Sequence, residues 1–274
     1  MRQLLLLVFM LLSFSLFSQT KNADKLLEKG KLLYRMDKGS WYGTDHFLSN
    51  FPSKKDSIGG YLSYEDTNNK IRTIFFSRYN PDRILARYEF ETIPTETPIS
   101  IDTIHHQVTE EEKVLIAVRS DTFQRIYKQT NSFYSHYENT SLNIIPYRNE
   151  RSIDVYVVTA PRTHGVVLIG NDYKLSYSHK GEFQKEEKLH NSLIQLPYAS
   201  EKGASKIQST IHSHVKSDLI TETDICTLLL YKEYVEWTQH IVVGDKLVSI
   251  FDLEKTTLFT MKRKVFEKLY KQEQ

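Results

Sequence analysis

His212-Ser213-His214 stands at the end of a segment that reads as a buried strand, and Asp224 follows ten residues later. Two histidines separated by one residue on a strand share a face, about 6.5 Å apart along the backbone, so both imidazoles can reach one ion. Val215 to Thr221 is polar enough for a loop, and Thr221-Glu222-Thr223-Asp224 has the form of a helix start. Two imidazoles and a carboxylate, with one coordination position left to water, make the donor set of a catalytic zinc site. His212, His214 and Asp224 are therefore the candidate metal ligands, and Zn²⁺ is the candidate cofactor. The Thr221-x-x-Asp224 spacing has a plainer meaning as well. It is a capping box, in which a hydroxyl and an acid satisfy the first amides of a helix without any metal.

These ligands need a strand, a loop and a helix around them. Ile207 to His212 reads as the strand, and Glu222 to about Tyr234 as the helix, with Ile225, Leu228 and Leu229 on its apolar side. His240 to Val243 and Leu247 to Phe251 form a hairpin through Gly244-Asp245-Lys246, and Lys262 to Lys271 closes the chain as a basic helix. Upstream, Ile153 to Val158 and Gly165 to Ile169 are strands. Lys174 to Ser178 is expected to return on the second of them through Gly170-Asn171-Asp172.

The N-terminal half has its own elements. Lys21 to Arg35 is amphipathic, and Gly59 to Tyr64 with Ile71 to Phe76 flank the turn Asp66-Thr67-Asn68-Asn69. Leu85 to Phe90 is another strand, Pro94 and Pro98 mark a connection, and Thr109 opens an acid-led helix to about Lys128. The expected class is α+β. An N-terminal region, residues 19–140, would precede a C-terminal domain, residues 141–274, with a mixed sheet and flanking helices.

Residues 150–260 resemble the JAMM (MPN) metalloprotease family. Gly165-Val166-Val167-Leu168-Ile169-Gly170 looks like that family's glycine-bounded hairpin. His212-Ser213-His214 matches its metal pair, and Thr221-Glu222-Thr223-Asp224 stands where the family has Ser-x-x-Asp. The resemblance implies a zinc-dependent hydrolase of amide or isopeptide bonds, acting on a peptide or protein, with Thr221 hydrogen-bonding the developing oxyanion. This sequence departs from the pattern in three places. The loop after His214 has six residues where seven are usual, threonine replaces serine, and Arg162 occupies the position of the catalytic glutamate. A guanidinium stays protonated and cannot serve as a base. His164 is the candidate substitute, with Glu150 and Glu222 as other sources of a base. A weakened enzyme or a pseudoenzyme is expected on this reading. The alternative is a metal-free binding or structural module of the cell envelope, engaging a protein or a glycan.

Arg2, the apolar run Leu4 to Phe17 and the small Ser18 before a polar stretch describe a secretory signal peptide, residues 1–18. The run is short of the roughly 20 apolar residues of a membrane span, so no stable span is expected after cleavage. The protein would be exported, periplasmic or secreted. Cys226 is the only cysteine, which leaves stability to core packing. The formal charge of +2 has no block of like charge behind it, so nothing points to nucleic acid. His105-His106, being adjacent, would face opposite ways on a strand and reads as a solvated loop. His164, His190 and His240 read as surface or hairpin residues, with His240 alone able to enter the site behind a ligand.

Overall fold

The computed structural model describes residues 2–128, 132–198 and 207–270, with side chains from residue 22 onward. The side chains of the expected leader, residues 129–131 of the expected polar connection, and Lys271 of the expected last helix lie outside the described residues. The chain is α+β and divides into two compact units, one of Met1–Lys31 with Pro197–Gln274 and one of Leu32–Leu196. The divisions fall inside helix α1 (Arg2–Asn50) and at residue 196, not at the polar stretch before residue 140. The reason is burial. Leu115 and Val118 from before that stretch share one apolar core with Leu142, Ile144 and Val155 from after it.

In the Leu32–Leu196 unit, β1 (Ile58–Glu65), β2 (Ile71–Ser77), β3 (Ile84–Phe90) and β4 (Ser100–Asp102) form an antiparallel meander. The β1–β2 turn is the expected one, with Asn69 at φ 59° and Asp66 accepting the amides of Asn68 and Lys70. Helix α2 (Glu110–Lys128) starts at Thr109, whose Oγ1 accepts the Glu112 amide while the Glu112 carboxylate accepts the Thr109 amide. It packs against β1, β5 (Thr140–Arg148) and β6 (Ile153–Pro161).

The chain continues through β7 (Val166–Gly170), β8 (Tyr173–Tyr177), β9 (Phe183–Lys188) and β10 (Leu193–Pro197). The expected β7–β8 hairpin does not form. β8 inserts between β6 and β9, and β7 pairs with β10 instead. The corner at residues 170–172 explains this. Gly170 has φ +98°, and a Cβ there would lie 2.3 Å from the Ser192 carbonyl oxygen. Asn171 donates its amide to that carbonyl, and Asp172 Oδ1 accepts the Thr159 amide at 2.8 Å, so the chain leaves one sheet and enters the other.

In the other unit, β11 (Ser209–Ser213), β12 (Gln239–Val243), β13 (Leu247–Asp252) and β14 (Thr257–Lys262) lie in that order. β11 and β12 are parallel because α3 (Glu222–Tyr231) crosses between them, and the remaining pairs are antiparallel. Helix α4 (Arg263–Tyr270) lies against β13 and β14. The close approach of α1 to α3 needs Gly30, whose added Cβ would meet Ile225 Cβ at 2.5 Å. Cys226 is buried in α3, as a core residue.

Candidate metal centre

Strand period and strand pairing set the histidines. Thr210 of β11 stands opposite His240 of β12, and His212 opposite Val242. His214 follows the strand, and its amide donates to the Val243 carbonyl at 2.9 Å. The rings of His212 and His214 lie together, 4.7 Å between centroids, on one face as their spacing requires. Both are buried.

Asp224 is brought to them by the start of α3. Thr221 is the N-cap residue, in extended conformation, and the capping box closes in both directions. Thr221 donates its amide and its hydroxyl to Asp224 Oδ2 at 2.9 and 2.8 Å, and the Asp224 amide donates to Thr221 Oγ1 at 3.2 Å. Asp224 is only 1% exposed. The Thr221 hydroxyl is therefore engaged by this carboxylate.

The same Oδ2 lies 3.2 Å from His214 Nε2. His214 Nδ1 lies 2.9 Å from the Leu219 carbonyl, an acceptor only, so Nδ1 carries a proton. Nε2 then faces a carboxylate oxygen, an arrangement that asks for a shared cation, either a proton or a metal. Two ligands at about 2.1 Å from a tetrahedral ion stand about 3.4 Å apart, close to the observed separation. His214 and Asp224, without His212, fall in a buried His/Asp group that could hold a metal ion. The helix cap and the metal-ligand geometry are compatible, since one oxygen takes part in both.

His240 is fully buried, not at the surface. Its Nε2 lies 2.8 Å from His212 Nδ1, and its Nδ1 lies 2.7 Å from Thr210 Oγ1. Burial above all, then the neighbouring His212, pushes it down to about 3, so it is neutral at ordinary pH. A neutral His240 that directs its Nδ1 proton to Thr210 accepts the Nδ1 proton of His212. That tautomer puts the His212 proton on Nδ1 and its lone pair on Nε2, and a partner behind the far ring nitrogen is the usual support of a histidine ligand. The sequence placed His240 on a strand but not in this register, which depends on β12 pairing with β11 across an intervening helix.

The other expected residues, Glu222 apart, lie in the Leu32–Leu196 unit. Arg162 and His164 are exposed in the turn between β6 and β7, and Glu150 is exposed between β5 and β6. His190, expected at the surface, is buried, with Nδ1 3.5 Å from Asp172 Oδ2. Nothing in its local sequence marks that burial. His105 is exposed and bonded to Asp102 within a loop, as expected of it. Glu222, next to Thr221, is half-buried at the first position of α3.

No family model, no curated protein and no solved structure matches this chain.

Proposed function

We propose that the chain is an exported zinc-binding protein of JAMM-like type. On this reading it is a hydrolase of amide or isopeptide bonds with weakened activity, or a pseudoenzyme that keeps the metal. The observation that carries the reading is the 3.2 Å approach of His214 Nε2 to Asp224 Oδ2 with the His214 Nδ1 proton already committed to a carbonyl. His212, His214 and Asp224 would hold the ion. Zinc suits two imidazoles and a carboxylate, and when bound it polarises a carbonyl and activates water. Thr221 fixes the carboxylate through two hydrogen bonds, and His240 fixes the tautomer of His212. Thr221 thus acts on the ligand as a positioning group, and its service to an oxyanion would require the hydroxyl to turn away from Asp224.

Proton transfer is the weak link. Arg162 cannot accept a proton, and general acid–base catalysis is typically worth about 10²–10⁴-fold in rate. His164, the expected substitute, is exposed between β6 and β7 in the Leu32–Leu196 unit, and no base is assigned. The second reading, a metal-free envelope module that binds a protein or glycan, is favoured by one observation, the complete capping box around Thr221 and Asp224.

The deciding experiment is elemental mass spectrometry of the purified mature protein beside a His212→Ala/His214→Ala double variant. About one zinc per chain, lost in the variant, is the expected result and would justify a screen of peptide and isopeptide substrates. Absence of stoichiometric metal after purification without chelators and with added zinc would refute the reading and leave the binding module.

A further inference from the structure

A second site lies in the Leu32–Leu196 unit, at the turn between β2 and β3. Three segments meet there, and backbone hydrogen bonds lock them. The Ser77 amide donates to the Arg83 carbonyl at 2.9 Å, Ile84 to His106 at 2.8 Å, and Arg78 to Ser57 at 2.9 Å. Between them is a cleft of about 450 Å³, lined among others by Lys54, Ser77, Tyr79, Arg83, Leu85 and His106. Among the described residues, no Asp or Glu lines it.

Its charged groups are donors. Lys54 Nζ sits over the Phe51 ring at 5.2 Å, and neither Lys54 nor Arg83 is paired with a carboxylate among the described residues. Ser77 Oγ accepts the amides of Tyr79 and Asn80 at 3.1 and 3.4 Å, which leaves its own hydroxyl proton to be donated. His106 Nδ1 donates to the Ile84 carbonyl at 2.6 Å, so the tautomer is set and Nε2 is the ring's remaining polar atom. An aromatic ring stands at the rim, since Tyr79 is 77% exposed, and Leu85 is buried. Two cations and a hydroxyl around one space form the recognition chemistry of a tetrahedral oxyanion. A bare ion would fill little of this volume, which is of the size that takes organic ligands, roughly 300–1,000 Å³.

We propose that this cleft binds a small organic phosphate ester. Lys54 and Arg83 meet the phosphate, Ser77 donates to it, and Tyr79 with Leu85 covers the organic part. The site involves none of the residues of the metal centre, and its test is independent of that reading.

The test is calorimetric titration of the full chain with phenyl phosphate and with inorganic phosphate, at low and at high sodium chloride. Saturable binding of phenyl phosphate is expected, tighter than that of inorganic phosphate and weakened by salt. Lys54→Ala/Arg83→Ala should weaken it about tenfold or more, as loss of charge-assisted hydrogen bonds does. Arg83 is exposed, so the single Arg83→Gln variant, which keeps the fold, should show part of that loss. Equal affinity for the two probes would overturn the ester assignment. No saturable binding, or binding unchanged in both variants, would overturn the site.

Discussion

Asp37 lies in α1 with its side chain buried, and Asn143 Nδ2 reaches its two oxygens only at 3.3 and 3.4 Å. Burial pushes its carboxyl up from 3.8 to about 6, against the pull of the Asn143 amide. The folded chain therefore holds a proton there that the unfolded chain gives up about two pH units sooner. At about 1.4 kcal/mol per pH unit, the site contributes about 3 kcal/mol that is fully present below pH 4. That contribution is lost as pH rises through 6, and above pH 7 the folded state carries a buried carboxylate. Asp37→Asn keeps the shape and removes the charge, at almost no difference in helix propensity. The variant should match the native protein near pH 3.5 and exceed it by about 3 kcal/mol at pH 8. Urea unfolding followed by tryptophan fluorescence would read this, because Trp41 lies one helical turn from Asp37 in the same unit. A stability difference that stays flat from pH 3.5 to 8, or a native protein more stable than the variant at pH 8, would refute the assignment of a buried neutral carboxyl.

Three further outcomes are expected. His240→Phe should weaken zinc binding about 10–100-fold, measured by competition with a chromophoric chelator, and unchanged affinity would show that the His212–His240 contact is not a support for the ligand. Thr221→Ala should cost about 1 kcal/mol in urea unfolding through loss of the N-cap, with Thr221→Ser restoring it; if serine fails to restore stability, the hydroxyl is not the group that matters. Gly170→Ala should cost roughly 1–3 kcal/mol, because its φ of +98° and the 2.3 Å approach to the Ser192 carbonyl oxygen leave no room for a methyl group; a neutral result in the same assay would contradict the β7–β10 corner.

Local chemistry announced itself in the sequence. Thr109 and Thr221 each precede an acid by three residues, and both caps form because the hydroxyl, the acid and the two amides lie within one turn of chain. Asp66 to Asn69 closes the β1–β2 turn for a similar reason. The face shared by His212 and His214 follows from strand period alone.

The rest depended on partners far along the chain. β7 reads as half of a hairpin, yet its pairing is decided by Ser192, twenty-two residues beyond Gly170. The boundary expected near residue 140 vanished because α2 and β5 bury their apolar faces in one core, and polarity of a connection says nothing about what its two ends pack against. His240 became the partner of His212 only when β12 took its place beside β11, with α3 in between. The sequence by itself thus determined most of the elements, though not β4, β9, β10 or β14, together with the caps and the shared face of the paired imidazoles, since these rest on neighbours within a few residues. Tertiary structure alone decided which acid, which imidazole and which carbonyl would surround them, because burial and strand pairing join residues that no local spacing connects.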